Sequence, residues 1–234
     1  MEAADLNVRA KNRQHLDEFS KMAKKYHFQA IATSASLKEP VIEDEKGFRI
    51  CKRIEVNADK VGKVKSRIGQ SRRKAVIIAV RIGEVNATNW AANDHRVDLL
   101  TTYGYPWQRD LRYSTAKLAA ATDTALEVNI VSLLQVSGLK RSRVLKSLRD
   151  SIRTASRARM RIVLSSGADS ALRMRSPTAL EQIGSLLDID YKTAEKALRN
   201  YPMDIIKRNL AKLNENFIAP GIEIIGSDSD EETP

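Results

Sequence analysis

Cysteine is almost missing from this 234-residue chain: Cys51 stands alone, so no intramolecular disulfide and no cysteine-based zinc site can form. Such a chain suits a reducing compartment, and a cytoplasmic location is expected. Histidine is scarce too, with three in all. His15 and His27 fall on or just after the first expected helix, His95 falls ahead of a strand, and no HxH or HExxH pair exists, so no protein-only metal site is expected. The chain also lacks a GxGxxG fingerprint, a P-loop and a GxSxG elbow; SSGAD at 165–169 is none of these. Cys51 has no plausible histidine base and reads as structural. Aromatics make up 5% of the residues, with no aromatic pair of the kind an RNA-recognition strand uses to stack bases. The longest notable apolar run, AVIIAV at 75–80, is too short to cross a bilayer, and nothing resembles a signal peptide.

What is present is base. Lysine and arginine total 40 against 29 acids, for a net charge of +11 and a pI near 9.8, which points to a polyanionic partner. Four of the acids, Asp228, Asp230, Glu231 and Glu232, sit in the closing GSDSDEETP, a stretch without a base. An apolar fraction of 42% suffices for a core. The expected organisation is one α/β domain over 1–225 and a disordered acidic tail over 226–234.

Hydrophobic periodicity alternates between strand and helix. DLNV at 5–8 reads as a strand, and Leu16, Phe19, Ala23 and Tyr26 mark an amphipathic helix after it. QAIATS at 29–34 is a second strand, and ASLKEPVIEDEKG, with Pro40 and Gly47, is expected to be a loop. FRICKRIEV (48–56), KAVIIAVRI (74–82), VDLLTT (97–102), ALEVNIVSLL (125–134) and RIVL (161–164) complete seven strands. Between them lie VGKVKSRIGQSR, a short helix with Asn86 or Thr88 near its start, the turn-rich GYPWQRD, LRYSTAKLAAATD, and the longest helix, LKRSRVLKSLRDSIRTASRARM. Three short helices are expected beyond Ser176, and IEII near the end has strand character. This order implies a parallel sheet with right-handed crossovers, and seven strands over this length favour closure into a TIM-barrel-like (β/α) barrel with extra C-terminal helices.

Asp5, Glu55, Asp98 and Glu127 fall within strands, where a polar cluster satisfied by arginine or lysine inside the barrel is expected rather than a catalytic constellation. Around RIVLSSGADSALRMRSP, Gly167 permits a turn with positive φ, Ser176 is a ready N-cap, and Pro177 suits the first helical position; the helix start beside Arg173 and Arg175 can receive an anion. From Leu139 to Arg161 nine bases face one acid, Asp150. On a helical wheel Val144, Leu145, Leu148, Ile152 and Ala155 form an apolar stripe, and Arg143, Lys146, Arg149, Arg153 and Arg157 a basic rail beside it. A merely solvated helix would mix acids among those bases. Structured RNA, held by phosphate contacts and shape, is the expected ligand.

The ordered series DLNV, HRVDLL, AKLAAATDTALEVNIVSLL, VLSSGADSALRMRSPTALEQIGSLL and NYPMDIIKRN, over residues 5 to 210, resembles RNase P protein component 3, the thirty-kilodalton RNase P subunit family, in an archaeal-type form. The resemblance implies a barrel-like α/β fold and a place in the ribonucleoprotein that removes the 5′ leader from precursor tRNA. There the RNA subunit is the catalyst and uses magnesium, and this protein, binding no cofactor itself, pairs with a smaller protein component. It further implies that Arg109 in QRD, Lys117 in TAKLAA and Arg175 in RSP are basic contacts, with Arg112 and Arg149 as neighbours. At NATNWAA, where members often carry a base near Trp90, the chain departs from the pattern. Two readings from other classes stand beside this one: a barrel-fold metal-dependent phosphoesterase, and a general nucleic-acid-binding protein.

Overall fold

A computed structural model describes residues 2–102, 110–213 and two short strands, Phe217–Ala219 and Ile222–Glu223. The acidic tail and most of GYPWQRD, Arg109 included, lie outside the described residues. Strand β1 is Ala4–Val8, β2 Ala30–Thr33, β4 Arg49–Asn57, β5 Ile77–Arg81, β6 Leu99–Thr101, β7 Ala125–Asn129 and β8 Ile162–Ser165. These seven pair in parallel in that order. The sheet curls until Val8 bridges Ala168, just past β8, with Arg9 N–H donating to the Ala168 carbonyl at 2.8 Å. The result is a nearly closed α/β barrel, TIM-barrel-like, as the alternation of patterns implied.

Helices cross over between strands: α1 Arg13–Lys25, α2 Val61–Ser71, α3 Val85–Ala92, α4 Tyr113–Ala121, a single turn α5 Val131–Leu134, and α6 Gly138–Arg157. Three more follow β8: α7 Pro177–Leu186, α8 Tyr191–Leu198 and α9 Asn200–Leu213. No helix is long and apolar enough to cross a membrane among the described residues.

Two expectations need correction. The stretch ASLKEPVIEDEKG is not all loop, because Val41–Glu43 forms β3, antiparallel to β4, with Glu43 paired to the Arg49 guanidinium at 3.0 Å. ALEVNIVSLL is not one strand: it ends at Asn129, and Ile130 and Val131 N–H groups donate to the Ser165 and Ser166 carbonyls as the chain turns into α5. The start of α3 also differs in detail, since the Glu84 carboxylate, rather than a following side chain, accepts from the Asn86 and Ala87 N–H groups.

The core has two layers. Between strands and helices lie Phe19, Ile31, Ile78, Leu100, Leu126, Leu148 and Leu164. Inside the barrel sit small residues, Ala4, Ala32, Cys51, Ala79 and Ala125, together with Leu6, Ile77 and Leu99. Burial pushes the Cys51 thiol up to about 12, so it stays neutral and inert. Met203, Ile205 and Ile206 of α9 join this inner cluster and plug one end of the barrel. That plug is held by a polar clasp. Asp98, at the entry to β6, accepts from Arg72 Nη1 at 2.7 Å, Ile78 N–H at 2.8 Å and Asn209 Nδ2 at 2.7 Å, and pairs with Arg208 at 3.3 Å.

Candidate nucleic-acid interface

The strand carboxylates divide into three environments. Glu127 on β7 meets Arg53 on β4 with two hydrogen bonds, Nη1 to Oε1 at 2.8 Å and Nη2 to Oε2 at 2.6 Å, and accepts a third from Ser165 Oγ at 2.8 Å. Glu55 joins Arg53 to Arg81. Burial alone would depress the Arg53 pKa, but the two carboxylates outweigh it and hold the charge on; burial would likewise raise Glu55, and Arg53 and Arg81 bring it below its usual value. Asp98 is satisfied by arginines in the clasp at the plugged end. Asp5 stands apart, with no lysine or arginine partner among the described residues: its Oδ1 accepts from the Ser166 and Asn7 N–H groups at 3.1 and 3.2 Å, and among the same residues Oδ2 has no hydrogen-bond partner. Burial pushes Asp5 up to about 6. Among the described residues no group of three His, Cys, Asp or Glu side chains is placed to hold a metal.

The basic residues singled out in the sequence sit mainly on two packed helices. Helix α4 is pinned to α6 by Leu111 N–H donating to Ser151 Oγ at 3.2 Å and by a hydrogen bond from the Ser147 hydroxyl to Asp110. Tyr113, half exposed at the start of α4, carries Lys117 Nζ 5.9 Å and the Arg157 guanidinium 5.7 Å from its ring centre. Each such cation–π contact is worth about 0.5–1 kcal/mol at an exposed site. Arg112, exposed at the α4 N-cap, lines a cavity of about 400 Å³ with Thr88 and Thr115. The structure therefore gathers Lys117 and Arg157 on the Tyr113 ring, with Arg112 one residue before it in the chain.

Along α6 the apolar stripe is buried as the wheel requires, through Val144, Leu148, Ile152 and Ala155, with Leu145 half-buried. The rail is unequal. Arg143 and Lys146 are exposed and have no hydrogen-bond or ion-pair partner among the described residues. Arg149 donates to the Leu186 carbonyl at 2.9 Å and pairs with Asp188 at 3.4 Å, tying α6 to the end of α7. Arg153 lies 3.2 Å from Asp150 and 3.9 Å from Asp188.

Arg175 is elsewhere, in the β8–α7 connection, where its Nη1 donates to the Leu172 and Met174 carbonyls at 3.1 and 2.8 Å. The turn there is built as expected: Gly167 has φ +62°, and Ser176 Oγ accepts from Ala179 N–H at 3.3 Å with Pro177 opening α7. Sequence reasoning missed a second gathering of base. At the carboxyl ends of the strands Arg9, Arg53, Arg67 and Arg81 line one cavity of about 310 Å³. Arg9 and Arg81 at the ends of strand patterns were the available signal, because parallel barrels display their functional side chains at the carboxyl ends of the strands.

Fold and site together define a parallel α/β barrel with an arginine–carboxylate core, a plugged base and a basic helical face. Residues 2–214 match the family model described as RNase P subunit p30, and the chain belongs to that family. It is 29% identical over 215 residues to Ribonuclease P protein component 3 of Methanosarcina barkeri, covering 90% of this chain and 89% of that one. With the protein of the same name from Methanothermobacter thermautotrophicus it shares 27% identity over 176 residues, 74% of this chain and 70% of that one. Among solved structures, a chain of an archaeal ribonuclease P with mature tRNA, studied by cryo-electron microscopy, has the same fold, with a TM-score of 0.78 at 18% identity over 96% of this chain and all of that one. A prolidase complexed with N-methylphosphonate-L-proline is a more distant fold match, with a TM-score of 0.56 at 10% identity, covering 95% of this chain and 77% of that one.

Proposed function

We propose that this chain is the barrel-shaped protein subunit of a ribonuclease P, the endoribonuclease that removes the 5′ leader from precursor tRNA. The observation that carries the reading is the family match over residues 2–214, supported by relatives named Ribonuclease P protein component 3 across nearly their whole length. Cleavage is the work of the catalytic RNA and its magnesium, and this chain contributes binding surface. Arg112, Lys117, Arg143 and Lys146 on α4 and α6 meet RNA phosphates; Arg153 extends that row, and Arg109 and Arg175 contact RNA or the protein partner. Arg149 acts mainly by fixing α6 against α7. The smaller RNase P protein component is the partner in a heterodimer. Two features of the exposed face favour phosphate contact over base stacking: Tyr113 already holds two cations on its ring, and Arg143 and Lys146 project from α6 with no acid between them along the helix.

Cleavage of precursor tRNA by the cognate catalytic RNA and the smaller protein, at low magnesium, with and without this chain, tests the reading. Activation in the complete mixture, with no cleavage by this chain alone, is the expected result. Cleavage by the chain alone would move catalysis into the barrel, and no effect of adding it would leave a general RNA- or DNA-binding role.

A further inference from the structure

The plugged end of the barrel carries positive charge that the clasp does not neutralise. Asp98 is shared by Arg72 and Arg208, and Asp123 by Arg208 and Arg161, so three arginines meet two aspartates there. Arg72 opens a 3₁₀ turn, Arg72–Lys74, and its Nη2 donates to the Ala75 and Val76 carbonyls at 2.9 and 2.7 Å. Arg73 and Lys74 of that turn, and Lys212 near the end of α9, are exposed and have no hydrogen-bond or ion-pair partner among the described residues. Partial burial first, and then the charges of Arg208 and Arg72, hold the Lys212 pKa below its ordinary value, with Asp98 and Asp123 acting the other way. Lys212 thus stands where negative charge is in short supply. Two short strands follow it: β9, Phe217–Ala219, lies against α9, and β10, Ile222–Glu223, pairs with β9 antiparallel.

Beyond Glu223 come Asp228, Asp230, Glu231 and Glu232, with no base among them. We propose that this acidic stretch, 228–232, is the ligand of the basic patch formed by Arg73, Lys74 and Lys212, and that it holds the patch against other polyanions. The stretch has no apolar side chain to bury and no cation of its own to pair, so opposite charge is what it can bind by. It is also within reach. Asp228 lies five residues past Glu223, a span of up to about 17 Å, whereas a helix with its side chains is about 10–12 Å across. Lys212 and Arg72 are near enough to repel each other, so a chain that reaches the end of α9 reaches the turn as well. Being part of the same molecule, the stretch competes at a high effective concentration, while RNA must arrive from solution. The free chain then offers polyanions the α4–α6 face rather than the plugged end. The proposal stands independently of the RNase P role, so its failure would leave that role intact.

The test uses the full-length ¹⁵N-labelled chain with a nitroxide at Ser229→Cys; Cys51 is buried and its thiol stays neutral, so the label attaches at position 229 alone. The amide resonances of Arg73, Lys74 and Lys212 should broaden at low salt and recover as salt rises. With Asp228→Asn, Asp230→Asn, Glu231→Gln and Glu232→Gln in the same labelled chain, the tether is unchanged and that broadening should be largely lost. A short oligouridylate, followed by fluorescence anisotropy at low salt, should bind the chain with the four neutralised acids about three-fold more tightly than the parent, the worth of one exposed ion pair. Arg73→Gln, Lys74→Gln and Lys212→Gln together should remove that gain without moving the melting temperature. Equal broadening with and without the acids would mean proximity without binding. Broadening centred on Lys117, Arg143 and Lys146 would put the acids on the α4–α6 face, and a gain in affinity that survives the triple substitution would mean that they act through overall charge. Each of these three results would overturn the proposal.

Discussion

Arg53 and Glu127 meet at 2.6 Å between Nη2 and Oε2 inside the barrel, each side chain fully buried, and the pair ties β4 to β7 across the interior. Neither strand neighbours the other in the sheet, so this contact braces the cross-section of the barrel. Glu55 on the same guanidinium and Ser165 on the same carboxylate complete the hydrogen bonding that burial demands.

Removing one member strands the other charge in the interior. Glu127→Gln or Arg53→Met alone should cost about 3–5 kcal/mol of unfolding free energy, while Arg53→Met with Glu127→Leu should cost less than either alone. Urea denaturation of the three variants gives the coupling directly. Additive losses would show that the pair does not act as a unit.

At Gly167 the backbone has φ +62°, and a Cβ added there would lie 2.9 Å from Val131 Cγ1 and 3.0 Å from Asn129 Cβ. Both obstacles belong to the β7–α5 junction, whose Ile130 and Val131 N–H groups donate to the Ser165 and Ser166 carbonyls. Gly167→Ala should therefore cost about 2 kcal/mol or more, combining left-handed strain with overpacking. Thermal melting at neutral pH checks it; a loss under half that size would mean the junction yields.

Strands were readable because burial on both faces leaves near-continuous apolar runs, KAVIIAVRI above all. The same continuity hid where β7 stops, since NIVSLL stays apolar through the turn into α5, and the boundary is set by contacts with the β8 turn. β3 was unreadable because three residues beside Pro40 acquire their pairing from β4. Several helix ends carried no glycine signal either: His27, Asp123, Arg159 and Asp188 follow α1, α4, α6 and α7 with φ near +60°. Two of them double as ion-pair seats, Asp123 for Arg161 and Arg208, and Asp188 for Arg149. The basic face of α6 was legible as local periodicity, whereas the mouth arginines come from positions 9, 53, 67 and 81 and only the closed barrel brings them together.

Asp5 makes stability depend on pH in a direction opposite to that of most carboxylates. Burial raises it from an ordinary value of 3.8 to about 6 in the folded chain. Between those values the folded state binds a proton that the unfolded state does not, so this group's contribution is complete below about pH 4 and is lost as pH rises through 6. The full span is on the order of 3 kcal/mol. Asp5→Asn, whose amide oxygen can still accept from the Ser166 N–H, should remove this slope, so that the variant gains on the parent as pH goes from 4 to 7. Denaturant midpoints of both proteins at several pH values supply the test, and parallel curves would place the titration elsewhere.

The unequal rail on α6 separates binding from folding at neighbouring positions. Lys146 has no partner to lose among the described residues, so Lys146→Ala should leave stability within about 0.5 kcal/mol of the parent. If it meets a phosphate, the same change should weaken the cognate RNA at every sequence and flatten the dependence of log K on log salt by about one unit. Arg149 has a different job, because it donates to the Leu186 carbonyl and pairs with Asp188. Arg149→Ala should lower stability by about 1 kcal/mol, as for one charge-assisted bond at a partly exposed site, with little change in the salt slope. RNA binding by fluorescence anisotropy across a salt series, beside thermal melts, reads both quantities for each variant. Equal effects of the two substitutions on slope and on stability would mean that the ion pair opens when RNA binds, and that the whole rail, rather than its unpaired half, faces the nucleic acid.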